Sequence, residues 1–185
     1  MDRDDLRKLL VALYADQDRH LRDNYNRSLP FQDGLVDRWE RAKQLGFSEG
    51  TSIYNSALVF GKVSVDKHTW VGPNVILDGS GADLCIGTYC CISAGSLLYT
   101  HDTVRWALSG GVAPKKFGPV SIGDCCYLGS NCVVIPNVTI GAQCVVSANS
   151  LVTKSFPPRT VAGGNPARVL GKVIGDGSEI EIAWD

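Results

Sequence analysis

The sequence runs to 185 residues, 44% of them hydrophobic, which supports one folded domain with a real core and excludes a disordered chain. Eighteen basic residues against nineteen acidic leave a formal net charge of −1, so no global field invites nucleic acid or an acidic membrane surface. Any anion binding must be local.

The opening segment, MDRDDLRKLLVALYADQ, is acidic where a signal peptide is basic, and its apolar stretch from Leu9 to Tyr14 is too short for a signal core or a membrane span. The expectation is a cytoplasmic protein. Leu6, Leu9, Leu10 and Leu13 share one helical face, and after Pro30 and Gly34 a second set, Leu35, Val36, Trp39 and Ala42, shares another. Residues 1–50 are therefore expected to form an N-terminal helical segment of two short helices ending at Gly46.

From residue 51 the chain loses charge and gains Gly, Val, Ile, Ser and Cys in a short repeat. Counting in sixes, the register falls on Ile53, Val59, Val65, Val71 and Leu77, slips by three residues to Ile86, Ile92 and Leu98, and resumes as Ile122, Leu128, Val134, Ile140, Val146 and Val152. Every register residue is aliphatic. The fifth position of each hexad is mostly small, as in Ala57, Thr69, Cys90, Ser96, Cys126, Cys132, Cys144 and Ser150, and the second is often Gly, as in Gly72, Gly87, Gly123, Gly129 and Gly141. A chain that bends every six residues, with two inward positions and the Gly as its turn, winds into triangular coils whose strands stack in parallel about 4.8 Å apart. Residues 51–174 are assigned to this mainly β, parallel β-helix domain.

The seven cysteines are odd in number and include no CxxC pair, so neither a disulfide framework nor a zinc cage is favoured and no metal is expected. Cys90, Cys126, Cys132 and Cys144 occupy inward hexad positions and are read as compact apolar fillers. Between Leu98 and Ile122 the repeat fails, and residues 103–118 are expected to be a loop extruded from the coil. SFPPRTVAGGNPARVLGKV closes the domain, Gly163 to Pro166 forming a turn, and the tail at 175–185 contains EIEIAW, which alternates like an edge strand.

The hexad register, followed by YTHD, the extruded loop, PVSIGDCCYLGSNCVVIPNVTIGAQCVVSANSLVTK and GGNPARVL, resembles the hexapeptide-repeat acyltransferases, in particular the maltose/galactoside and polysaccharide O-acetyltransferases. The resemblance covers roughly residues 53–173 and implies a left-handed coil, a homotrimer with sites between subunits, and acetyl-CoA as co-substrate. The N-terminal fifty residues depart from the helical segment of the maltose enzymes, Asn137 stands where the family has Gly, and SANS at Ser147–Ser150 replaces GAGS. Residue by residue, the resemblance makes His101 the general base and Ser130 a helper near the thioester. Tyr127 falls where relatives carry an aromatic against acceptor or pantetheine, Ala148, Thr153 and Lys154 match pantetheine and adenine contacts, and Arg168 matches a basic residue near the phosphates.

The residue chemistry agrees with these roles. A neutral imidazole suits proton removal near neutral pH, and His101 alone of three histidines stands where the repeat meets the loop. Its orienting group is open, because adjacent side chains on an extended chain diverge and Asp102 is not favoured over a backbone carbonyl or a distant carboxylate. Ser130 is equally readable as an exposed turn serine, Tyr127 as surface packing, and Lys154 and Arg168 singly as solvated charges. The expected function is acetyl-CoA-dependent O-acetylation of a sugar or saccharide hydroxyl by direct transfer. The alternatives are N-acetylation of an amino nucleotide sugar or an antibiotic, a zinc enzyme of the same architecture, for which a third histidine is lacking, and a non-catalytic β-helix scaffold.

Overall fold

A computed structural model describes residues 1–185. The chain opens with α1 (Arg3–Tyr25), whose first turn is capped by the Asp2 carboxylate accepting from the amides of Asp4 and Asp5 at 2.8 and 2.9 Å. Left-handed Asn26 ends it. Then come α2 (Phe31–Leu35) and α3 (Arg38–Gln44), so three helices stand where two were expected. The second expected helix is split because Val36 is extended and the Asp37 carboxylate takes the amides of Trp39 and Glu40, starting a new helix there. This last helix plugs the open end of the coil: Ala42 and, just beyond it, Phe47 are buried in the central core. The Arg41 guanidinium donates to the carbonyls of Tyr54 and Ala57 in the first coil.

Six coils follow. The first uses Ser52–Ile53 and Leu58–Val65, and the second Trp70–Val71 and Ile76–Ile86. The third uses Cys91–Ile92, Leu97–Tyr99 and Val120–Ile122, and the fourth Tyr127–Leu128, Val133–Val134 and Val138–Ile140. The fifth uses Val145–Val146 and Leu151–Val152, with Phe156 bridging back to Ile140, and the sixth is Thr160–Gly163. Equivalent strands pair in parallel from coil to coil, for example Trp70 to Cys91 to Tyr127 to Val145 on the first face and Leu98 to Val134 to Val152 on the second. The third face runs from Ile86 through Ile122 to Ile140.

Each register residue named above is buried except Val59, which packs against the same core. Burial of each such side chain contributes roughly 1.5–3 kcal/mol, and the stack of them is what holds the winding together. The turn residue, however, is not the glycine at the second position. The left-handed conformation falls at the fourth position, in His68, Asn74, Tyr89, Cys125, Asn131, Asn137, Gln143 and Asn149. Asparagine tolerates this region better than most residues, which explains why Asn137 can replace the family glycine. The second-position glycines answer a different need: a Cβ on Gly123 would lie 2.6 Å from the backbone nitrogen of Ala142 in the next coil.

Cys90, Cys126, Cys132 and Cys144 are buried, as fillers should be. Their thiols donate to the carbonyls of Gly123, Gly141, Ser147 and Pro157 respectively. Hydrogen bonding to the Cys144 and Cys90 thiols, together with burial, pushes the Cys126 thiol well above the usual range, and burial pushes Cys132 up as well. Beyond the sixth coil, Arg168–Ile174 folds back antiparallel on Thr160–Gly163, and Glu181–Trp184 adds an antiparallel edge strand.

Candidate active site

Two departures from the hexad rule lie at the same corner, between the second and third faces. In the second coil three extra residues follow Asp78, and in the third the long insertion follows Tyr99, its register partner. The insertion is not wholly irregular: it contains α4 (Val104–Leu108), and its base is closed by His101–Asp102 pairing antiparallel with Lys116–Phe117. The two insertions pack on each other. A Cβ on Gly81 would lie 2.6 Å from the Thr100 carbonyl oxygen and 2.8 Å from the His101 Cβ, so glycine permits this contact. Buried Thr100 locks it, donating to the Asp78 carbonyl at 2.7 Å and accepting from the amides of Gly81 and Ala82.

The result is a carboxylate aimed at an imidazole. Asp78 Oδ2 lies 3.1 Å from His101 Nδ1, with the Asp78 side chain buried and His101 about one third exposed. Asp78 Oδ1 accepts from both the amide and the hydroxyl of Ser80, and the same hydroxyl lies 3.4 Å from His101 Nδ1. With Nδ1–H donated to the carboxylate, Nε2 carries the lone pair and is free to act as a base. Asp102 is engaged elsewhere, accepting at 2.7 Å from the amide of Val104, the first residue of α4. Asp78 is thus the carboxylate that meets His101, a partner that residue types left open. Its one signal in the sequence is the three-residue slip directly after Leu77.

The remaining residues fall in two places. Thr153 and Lys154 are exposed at the same corner as His101, two coils further on, with Lys154 Nζ 5.9 Å from the Phe156 ring centroid. Tyr127 is exposed on the first face, while half-exposed Ser130 and exposed Ala148 lie one above the other at the corner between the first and second faces, the Asn149 amide donating to the Ser130 carbonyl. Arg168 is exposed beside them, paired with Gly163. A single chain therefore does not bring Ser130, Ala148 and Arg168 together with His101. His68 stacks on Tyr89 at 4.7 Å, and no group of three His, Cys, Asp or Glu side chains suited to a metal ion forms. No helix is long and apolar enough to cross a membrane.

Residues 119–154 match the family described as bacterial transferase hexapeptide (six repeats). This chain carries a hexapeptide-repeat domain. It is 34% identical over 115 residues to a candidate acetyltransferase of Staphylococcus aureus, covering 62% of this chain and 57% of that one. It is 37% identical over 111 residues to WcaF of Escherichia coli, a candidate colanic acid biosynthesis acetyltransferase, covering 59% of this chain and 58% of WcaF. The domain thus spans somewhat over half the length of these curated relatives. Among solved structures, a hexapeptide-repeat acetyltransferase of Vibrio cholerae superposes with a TM-score of 0.64 at 25% identity, covering 89% of this chain and 91% of that one. The same Vibrio protein has been solved with acetyl coenzyme A, at 27% identity and a TM-score of 0.55 over 88% of both chains. The fold is shared as well with AntD, an N-acyltransferase of Bacillus cereus, at a TM-score of 0.62 and 23% identity over 68% of this chain and 71% of AntD.

Proposed function

We propose that this chain is an acetyl-CoA-dependent acetyltransferase that transfers the acetyl group directly to a hydroxyl of a sugar or saccharide. The Asp78–His101 pair is the observation that carries the reading. His101 Nε2 takes the acceptor proton as the hydroxyl oxygen attacks the acetyl carbonyl carbon, and the Asp78 carboxylate holds Nδ1–H and stabilises the imidazolium that forms. Collapse of the tetrahedral intermediate breaks the C–S bond, and the proton passes from His101 to the departing thiolate to give free CoA. No covalent enzyme intermediate is needed.

The CoA-binding side of the site is assigned to Ala148, Thr153, Lys154 and Arg168, with Tyr127 against the acceptor or pantetheine and Ser130 or backbone amides donating to the oxyanion. In one chain these residues occupy different corners of the prism. A site that uses all of them is completed when the His101 corner of one subunit faces the Ser130 corner of another, which supports a homotrimer with sites between subunits. The similarity to the Vibrio protein solved with acetyl coenzyme A supports that co-substrate, and WcaF supports a saccharide acceptor. A cytoplasmic location accords with the intracellular supply of acetyl-CoA.

The test is release of CoA thiol from acetyl-CoA over a panel of sugars, saccharides, amino sugars and nucleotide sugars. The wild type should turn over a hydroxyl acceptor and lose activity on His101→Ala. Acetylation of amino sugars alone would replace O- by N-transfer, and failure to bind acetyl-CoA would leave the scaffold reading.

A further inference from the structure

α1 is 23 residues long yet none of its residues is buried. Its C-terminal half is tethered. The Tyr14 hydroxyl donates to the Leu29 carbonyl at 2.9 Å, the Tyr14 ring meets Phe31 edge-on, and Ser28 donates to Asp18. Its first three turns leave Leu6, Leu9, Leu10 and Leu13 exposed at 45%, 58%, 44% and 40%. Exposed leucines scattered singly need no explanation, but these four form one stripe at helical spacing. Beside the stripe lies an open groove of about 690 Å³ lined by Leu6, Leu10, Tyr14 and Phe31, with Arg3, Asp4 and Arg7 at its rim.

The charges along the stripe say what covers it. At 3.6 residues per turn, Arg3 and Arg7 fall on the groove side, with Asp4 just beyond them, and Asp5 and Asp16 on the opposite side with Leu9. Two such helices packed antiparallel about a twofold axis bring like flanks together, acid on acid and base on base. Packed parallel, the acidic flank of each meets the basic flank of the next, in a dimer or in any cyclic ring. Leu9 and Leu13 of one helix then enter the groove of its neighbour, and the Asp5 flank comes against the Arg3 and Arg7 flank. A membrane surface is a poorer fit, because α1 balances Arg3, Arg7, Lys8, Arg19 and Arg22 with Asp4, Asp5, Asp16, Asp18 and Asp23, whereas interfacial helices carry an excess of Lys and Arg.

We propose that the N-terminal half of α1 is an assembly surface whose partner is the same helix of a second copy of this chain, packed parallel and in register. None of the residues lining the groove belongs to the Asp78–His101 pair, so failure of this contact leaves the proposed chemistry standing. The test places a cysteine on the stripe, Leu13→Cys, in the full chain with exposed Cys85 and Cys125 changed to serine. Mild oxidation should convert most of the protein to a covalent dimer, and adding Leu6→Asp should cut that yield at least tenfold. Absence of the dimer overturns the proposal, as does equal cross-linking from Ala15→Cys on the far side of the helix. Co-sedimentation of the wild type with phosphatidylglycerol vesicles, without the Leu13→Cys dimer, would assign the stripe to a lipid surface instead.

Discussion

From Val120 to Val152 the chain winds without interruption, whereas between Leu77 and Val120 two insertions break the same repeat at one corner. The uninterrupted coils are apolar inside, with each thiol and serine hydroxyl of the interior satisfied by a carbonyl. The interrupted coils collect polar groups, the Asp78 carboxylate, the Thr100 and Ser80 hydroxyls and the His101 imidazole, into one network. Repetition supplies a rigid frame, and the places where it fails gather the polar groups of the proposed site. Substitutions in the two regions should therefore separate activity from stability.

The largest effect is expected at the interrupted corner. His101→Ala should lower turnover by roughly 10²–10⁴-fold, the usual worth of a general base, while acetyl-CoA affinity measured by calorimetry stays within a few-fold of wild type. Equal turnover in the two proteins would remove His101 from the base role. In the uninterrupted coils the effect should be on folding instead. Leu128→Ala leaves a cavity in the central stack and should cost about 2–5 kcal/mol by denaturant unfolding. Just below these stands Asp78→Asn, which keeps the volume but removes the negative partner of Nδ1–H. It should lower kcat by on the order of 10- to 10³-fold with little change in KM, less than the ~10⁴ typical of a fully buried triad, because His101 is partly solvated.

Much of this architecture was legible in the sequence, and the reason is physical. A prism core admits only aliphatics at one position and small residues at another, so the winding is written in residue types that nothing else explains. The break beside His101 was legible because the register fails there. The turn position was misread, since glycine suggests conformational freedom, whereas Gly123 and its equivalents are there for close backbone approach and the left-handed residue is the Asn or its substitute two positions on. Asp78 went unrecognised because it and its partner are 23 residues apart, joined only when two insertions of different length stack. The split between α2 and α3 hid in Asp37, an N-cap inside an apolar run that looked continuous. The opposed corners of Ser130 and His101 follow from which face each hexad occupies, which the register alone does not announce.

The smallest expected effect sharpens the comparison most, because it lies where the two regions touch. Asn137 belongs to an uninterrupted coil, but its amide donates to the Pro119 carbonyl at 3.0 Å, and a Cβ on Gly118 would collide with its side chain, so it abuts the end of the long insertion. Its φ of +65° is strained for residues with a Cβ and tolerated by asparagine. Asn137→Ala should cost about 1–2 kcal/mol of stability, and Asn137→Gly, which relieves the strain, should cost less than half as much in the same unfolding measurement. Turnover on the preferred acceptor should change by less than about threefold in both, if the His101 corner is held by Thr100 and the Asp78 segment. A larger loss of turnover than of stability would mean that the regular coils position the imidazole through Gly118, and the division between frame and chemistry would have to be redrawn at that residue.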